Sequence, residues 1–331
     1  MANDQPNTPR RLPLLSQHEG LTADYPMKEH LVDIRIRQNR IDGMIYDNGG
    51  LSAHWGGTPS PGCAACKAHR WITIFVGKAC NAVCSFCPQP PKPQKGDPDD
   101  TDEILPTSFG KMRWEELFER VTAAVKADRM DAVGFSGGEP LMYVDRILRF
   151  ARAFHDSVPS LYKYAYTNGI LGTREIYAAL KEVGLRELRF DLAATNFSKK
   201  VIDNMSSAHE YFDRVTIEIP ALPEVVEPLR DLGPRLSELH VSQINLCEVI
   251  VNDYNVGAFK DDELYQFNPY MDSIAGDESG EGVKVRARTR LVPRKSRHAT
   301  YDVIETAHQE GWSVVINDCA QGVHYKPELP L

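Results

Sequence analysis

The sequence predicts an α/β protein: a partial (β/α)6 TIM-like barrel with an N-terminal extension and a C-terminal α/β addition. Two observations predict it. Between residues 71 and 251 six short, apolar, β-branched runs recur, and the stretches between them carry helical periodicity. Strand then helix, six times over, implies a parallel sheet, because parallel neighbours need crossover connections. Six units are too few for a complete eight-fold barrel but enough for part of one. In such barrels chemistry sits on the loops at the C-terminal ends of the strands. An open doubly wound sheet has the same periodicity, so the pattern leaves both arrangements open.

Residues 1–70 are rich in Pro, Gly and polar residues and read as an extension rather than a separate core. They carry one strand-like alternation, "LVDIRIRQ" (31–38), and a C-x-x-C at Cys63 and Cys66. The core, 71–251, has candidate strands at "WITIFV" (71–76), "AVGFS" (132–136), "YKYAYT" (162–167), "LRELRFDL" (185–192), "RVTIEIP" (214–220) and "VSQINLCEVIV" (241–251). Between them, "RWEELFERVTAAVKA" sets Leu117, Val121 and Val125 one helical turn apart, and "VDRILRFARAF" and "REIYAALKEVG" repeat that spacing. Gly184, in "EVGL", fits a helix C-terminus. Residues 252–331 form a C-terminal region expected to cover the barrel mouth. It opens with an acidic loop, and then "VKVRARTRLVPRKSR" alternates Lys284, Arg286, Arg288 and Arg290 at strand spacing. These basic residues read as a solvated edge strand or as a grip for an anionic substrate. A helix, "HATYDVIETAHQEG", and a last strand, "WSVVIN", lead to Cys319.

Apolar residues make up 42% and charged residues 25%, the balance of a globular chain. No stretch approaches the roughly 20 apolar residues of a membrane helix. The first residues lack the pattern of a signal peptide, so a cytoplasmic location is expected. The net charge of -8 argues against a general nucleic-acid binder. Neither nucleic acid nor membrane is expected as a partner.

Three of the seven cysteines fall within eight positions of "VGKACNAVCSFCPQP" (76–90), as Cys80, Cys84 and Cys87 on a C-x-x-x-C-x-x-C spacing. In a reducing compartment such a cluster is a metal site before it is a disulfide. A zinc ribbon could use Cys63, Cys66, Cys84 and Cys87, two C-x-x-C pairs separated by 17 residues. That choice leaves Cys80 idle and turns "WITIFV" into a ribbon connector. A 4Fe-4S cluster on Cys80, Cys84 and Cys87 makes the odd count functional, since three ligands leave one of four irons open to something that is not protein.

The C-x-x-x-C-x-x-C spacing with Phe86 before its last cysteine is similar to the signature of the radical S-adenosylmethionine superfamily. So are "SGGEP" (136–140), "YTNG" (166–169) and "EIPALPE" (218–224), each at a strand's C-terminal end. The resemblance covers roughly residues 70 to 250. It implies that S-adenosylmethionine chelates the open iron, with the backbone around Gly137, Gly138, Glu139 and Pro140 holding its amino group and Glu139 helping. It places Phe86, Ile219 and Pro220 against adenine, and Asn168 and Asp191 near the ribose or methionyl end, although a turn Asn and a helix-capping Asp also occur for structural reasons. It implies reductive cleavage to a 5'-deoxyadenosyl radical that takes hydrogen from a C–H bond of a small-molecule or peptide substrate in a biosynthetic pathway. An electron donor such as flavodoxin or ferredoxin goes with it. The C-terminal part also resembles a group related to the activases of glycyl-radical enzymes, for which the product would be a glycyl radical on a partner protein. A zinc-ribbon binding module is the reading from another class.

Cys63 and Cys66 lie upstream of the first strand, Cys247 near the end of the sixth, and Cys319 after the last; all can face one rim. Together they could hold a second iron-sulfur cluster. Alternatively Cys63 and Cys66 bind zinc or nothing, with Cys247 a buried small hydrophobe. Cys319 or Cys247 could instead give a hydrogen atom to a product radical, a role closed to a ligating thiolate. His54 and His69 flank the C-x-x-C, and Asn245 shares face parity with Cys247.

Overall fold

The structure, a computed structural model, describes residues 27–47, 50–89, 103–106, 112–267 and 290–321. Lys284, Arg286 and Arg288 lie outside the described residues. In chain order the elements are α1 (Met27–Gln38), β1 (Ile45–Asp47), β2 (Ser52–Trp55), α2 (Pro61–Lys67), β3 (Trp71–Phe75), β4 (Glu103–Pro106), β5 (Met112–Arg113), α3 (Trp114–Lys126), β6 (Ala132–Ser136), α4 (Val144–Ser157) and β7 (Tyr162–Thr167). There follow α5 (Arg174–Glu182), β8 (Leu185–Phe190), α6 (Lys199–Ser207), β9 (Arg214–Pro220), α7 (Pro223–Leu232), β10 (Val241–Cys247), β11 (Leu264–Phe267), β12 (Arg290–Pro293), α8 (Arg294–Glu310) and β13 (Val315–Cys319).

The six expected strands are β3, β6, β7, β8, β9 and β10, and they pair in parallel in that same order. No reversal of strand order occurs among them, which removes the doubly wound arrangement, whose defining feature is a switch point. A seventh parallel strand, β13, adds to β10, with Gln243 opposite Val315 and Cys247 opposite Cys319. The extension then continues the sheet: β2 pairs antiparallel with β13, and β1 with β2. At the far edge β4 and β5 add antiparallel to β3. A separate hairpin joins β11 and β12.

The sheet curves around α2. This seven-residue helix packs on β3, β6 and β7, while its Cys63 reaches Arg189 on β8 and Gln243 and Asn245 on β10. A helix of seven residues is about 10 Å long, and it can meet strands so far apart in the order only if they wrap around it. Ala65 of α2 packs with Ala132, Tyr162 and Tyr164, so the C-x-x-C segment lies inside the barrel.

Outside, each crossover helix presents an apolar stripe to the sheet. Leu117 and Val121 of α3, Ile147, Phe150 and Phe154 of α4, Tyr177 and Leu180 of α5, Val201 and Met205 of α6, and Val225 and Leu229 of α7 are all buried. Thr173 and Ser198 cap α5 and α6 by accepting from the amides of Ile176 and Val201. Gly184 stands at φ 80° where the chain leaves α5, as its place in the sequence anticipates.

Two expectations are corrected. "LVDIRIRQ" alternates like a strand, yet it belongs to α1. Tertiary partners decide it: Arg37 donates to Glu305, Asp302 and the His298 carbonyl, Gln38 donates to Tyr301, and Arg294 of α8 pairs with Asp33. Docking on α8 outweighs a local pattern with no clear apolar stripe. The last strand is Val315–Cys319 rather than "WSVVIN", because Gly311 at φ 68° ends α8 and Trp312 caps the core before the strand starts. Arg297, buried in α8, pairs with Asp318 at 2.9 Å, and Tyr301 donates to the same carboxylate, which fixes α8 over β13.

One buried charge on the outer face of β7 carries a prediction. Lys163 is 1% exposed and donates to the Leu161 carbonyl at 3.3 Å; burial, then Arg186, lowers its ammonium pKa to about 8. Between that value and the unfolded value of 10.5, the unfolded chain binds a proton that the folded chain does not. Stability therefore rises as pH rises through that window, and the full penalty is present below it. Lys163→Met is expected to stabilise the chain at pH 7 by about 2 kcal/mol. Urea unfolding at two pH values checks this: the advantage shrinks as the pH approaches 10.5, and equal stability at pH 7 would refute it. No helix among the described residues is long and apolar enough to cross a membrane.

Candidate active site at the open end of the barrel

The loop after β3 carries Cys80, Cys84 and Cys87 over the C-terminal rim. Cys80 is exposed, and Cys84 and Cys87 are half-buried. Burial raises both of the latter thiols, that of Cys84 to about 12 with Asp191, Cys87 and Cys80 adding to it. The stem of this loop is clamped by "SGGEP". The Gly138 amide donates to the Gly77 carbonyl and that of Glu139 to Ala79, at 3.0 and 2.8 Å. The two glycines are there for close approach. Gly137 has φ 147°, and a Cβ on either would collide with the carbonyl oxygens of Gly77, Lys78 or Ala79.

Glu139 is buried beneath this turn. Its carboxylate accepts from the Thr167 hydroxyl at 2.7 Å, the Asn168 amide at 2.7 Å and the Leu141 amide at 3.0 Å. Burial raises its pKa and these three donors lower it, with a net upward shift. Asn168 turns its side chain to Asn81 at 2.7 Å and to Cys80 Sγ at 3.9 Å, so the turn after β7 holds the cysteine loop directly. Asp191, after β8, accepts from the Ala194 amide at 3.2 Å. Burial pushes its carboxyl up to about 7, against the pull of the Ala194 and Ala193 amides.

These groups share one cavity of about 200 Å³, lined by Cys80, Cys84, Cys87, Ser136, Gly138, Glu139, Pro140, Asn168 and Asp191 on the rim side. Tyr166, Arg189 and Glu218 form its inner wall. Phe86 lines this cavity and a second one, of about 330 Å³, which Pro220, Leu222, Phe197 and Phe259 also line. The segment after β10 meets the cysteine loop there, where Asn255 donates to the Phe86 carbonyl and Asn252 to that of Pro88.

Ile219 is not at either cavity. It is 1% exposed and sits in the main core, because side chains alternate along β9 and the lumen-facing positions there are Glu218 and Pro220. Asn245 is buried, donating to Glu218 at 2.8 Å and to Cys63 Sγ at 3.4 Å. His54 is held by Asp47 at 2.9 Å, beside Lys67; His69 stands at φ 58° just after α2. Cys247 and Cys319 end neighbouring strands, and Cys247 donates to Glu218 at 3.5 Å. Cys63 and Cys66 lie below them on α2. A zinc ribbon is not the architecture here, since the segment between the two C-x-x-C pairs is the first strand of the barrel.

Sequence reasoning missed Arg189 and Glu187. Arg189 donates to Glu187 at 3.0 Å and Glu218 at 2.8 Å and lies over the Tyr164 ring at 3.9 Å. The signal was present in "LRELRF": on a strand covered on both faces, charges two apart share the lumen side.

The barrel's first loop thus carries three cysteines, and its next two turns carry the polar groups of Gly138, Glu139 and Asn168 that border the same cavity. Residues 74–233, a little under half of the chain, match the family model described as the radical SAM superfamily. A curated relative from Methanocaldococcus jannaschii, provisionally named a glycyl-radical enzyme activating enzyme, is 23% identical over 224 residues, 66% of this chain. The chain spans 57% of that relative's length. Among solved structures, SuiB of Streptococcus suis bound to precursor peptide SuiA aligns with 13% identity over 66% of this chain and 42% of SuiB, at a TM-score of 0.42. TsrM, a radical S-adenosylmethionine methyltransferase from Kitasatospora setae with cobalamin and a 4Fe-4S cluster bound, aligns with 12% identity over 71% of this chain and 52% of TsrM, at a TM-score of 0.39.

The superfamily's cofactors are a 4Fe-4S cluster and S-adenosylmethionine, and the residues present fit them. The three sulfurs border one cavity, and the amides of Gly138 and Glu139 are engaged inward, so this turn offers a ligand acceptors, as an amino group requires. Gly138→Ala tests the clamp. The added methyl meets backbone on two sides, so a loss of about 1–3 kcal/mol is expected, with reduced iron uptake at the loop. Wild-type unfolding midpoints and iron content would refute it.

Proposed function

We propose that the chain cleaves S-adenosylmethionine reductively and takes hydrogen from a C–H bond of a small polar molecule or a peptide held inside the barrel, as a step in biosynthesis. The observation that carries this reading is the shared cavity: the three cysteines, Glu139, Asn168 and Asp191 stand on one side and Tyr166, Arg189 and Glu218 on the other. The bound cofactors supply the electron and the 5'-deoxyadenosyl radical.

The protein's own groups orient and shield. Cys80, Cys84 and Cys87 would hold the cluster, and Gly138, Glu139 and Asn168 would fix the methionyl end. Phe86 and Pro220 border the apolar space suited to adenine. Tyr166, Arg189 and Glu218 would meet the substrate, and a cation beside a carboxylate suits a zwitterionic or hydrogen-bonding group. Val83, at the tip of the cysteine loop, is 89% exposed, which leaves the cluster side open to an electron donor such as flavodoxin or ferredoxin.

The name of the Methanocaldococcus jannaschii relative favours a second reading, in which the hydrogen is taken from a glycine of a partner protein. One experiment addresses both. The anaerobically reconstituted chain, given S-adenosylmethionine and a strong reductant, is expected to release 5'-deoxyadenosine, and absence of that product would sink both readings. Deuterium carried into 5'-deoxyadenosine from a labelled small molecule or peptide favours the first, and a glycyl radical signal on a partner chain the second.

A further inference from the structure

Four cysteines that the radical site does not use are gathered at one place. Cys63 and Cys66 sit one turn apart on α2, inside the barrel, while Cys247 and Cys319 lie directly opposite each other on β10 and β13 and hydrogen-bond side by side. Cys319 is within electrostatic reach of both Cys63 and Cys66. All four are free thiols, brought together from three separate regions of the chain.

The surroundings suit thiolates. Four N–H donors converge on Cys63 Sγ: Gln243 Nε2 at 3.1 Å, Asn245 Nδ2 at 3.4 Å, an Arg189 guanidinium nitrogen at 3.5 Å and Asn317 Nδ2 at 3.9 Å. Donors gathered on one sulfur favour its charged form and are among the features that tune sulfur-ligated clusters. Cys66, Cys247 and Cys319 keep part of their surface open. Burial raises the thiols of Cys63 and Cys66, and the hydrogen bond with Cys319 together with burial raises that of Cys247, so a metal must displace their protons. Glu218 touches Cys247 and also lines the cavity of Cys80, Cys84 and Cys87, so the quartet lies across Glu218 from that site.

We propose that Cys63, Cys66, Cys247 and Cys319 bind a second iron-sulfur cluster, on four thiolates, inside the barrel. Thiolate donors select zinc or iron-sulfur clusters, and N–H donors gathered on a ligating sulfur are a feature of the latter. Binding releases the thiol protons. It also closes the hydrogen-donor role to Cys247 and Cys319.

The site does not depend on the catalytic reading, and the test keeps them apart. The full chain carrying Cys80→Ala, Cys84→Ala and Cys87→Ala together, reconstituted anaerobically, is expected to retain about two to four irons, with matching sulfide and visible absorption. Adding Cys66→Ser and Cys319→Ser is expected to remove them. An iron-free triple variant, or one holding about one zinc per chain, would overturn the proposal. Should the triple variant fail to fold, the wild-type chain is compared with Cys247→Ser/Cys319→Ser. A drop from about six to eight irons to about four supports the second cluster, and an unchanged count overturns it.

Discussion

Replacing Cys84 with alanine is expected to abolish 5'-deoxyadenosine release and to lower bound iron by about four per chain. The loss is large because, in the proposed function, Cys84 would be the middle ligand of a set with no spare. With Cys80 and Cys87 alone, a cubane would be left with two open irons, and Asn81 in the same loop is already engaged by Asn168. Changes one shell further out already cost about 10- to 100-fold in metal affinity or activity, and a direct ligand exceeds that. The thiol itself is poor at the job until metal arrives, since burial with Asp191, Cys87 and Cys80 pushes it up to about 12. Metal binding at this thiol would release that proton. Full product from Cys84→Ala would remove Cys84 from the ligand set. Iron that falls while the rest persists would agree with a second site on Cys63, Cys66, Cys247 and Cys319.

What was legible in the sequence follows the range of the interaction that fixes each feature. The six parallel strands were readable because strands buried on both faces need continuous β-branched runs, and the run limits match β6, β7 and β9 residue for residue. The cysteine loop and "SGGEP" were readable because their chemistry lives in spacings of a few residues. Long-range pairing was not readable. The last strand was seen, but its place beside β10, with β2 beyond it, depends on contacts across more than 70 residues. α1 was misread because its fate is decided by Glu305, Asp302 and Tyr301 on α8, not by its own pattern. Ile219 was misplaced by one residue of parity, enough on a strand to move a side chain from lumen to core.

Arg189→Met is expected to destabilise the chain by about 3–5 kcal/mol, the second large effect. Arg189 is 3% exposed and Glu187 is 0% exposed. Its nitrogens reach Glu187, Glu218, the Ser60 hydroxyl and Cys63 Sγ, so one cation neutralises two carboxylates and ties α2 to the barrel wall. Removing it leaves Glu187 with the Tyr162 and Thr216 hydroxyls at 3.2 and 2.8 Å as its remaining donors, and an ionised carboxylate in that place is costly. Methionine keeps the contact with the Tyr164 ring and much of the volume, so the loss reports charge rather than a cavity. The double variant Glu187→Met/Arg189→Met separates pairing from packing: with both charges gone, most of the stability should return, because apolar replacement of a buried pair is often near neutral. A double variant as unstable as Arg189→Met alone would place the effect in lost packing against α2 and in the polar contacts to Ser60 and Cys63. Recovery of stability without recovery of 5'-deoxyadenosine release with substrate would show that Arg189 also serves the cavity it lines, where its guanidinium and Glu218 face the cysteine loop across the space left for the reacting molecule.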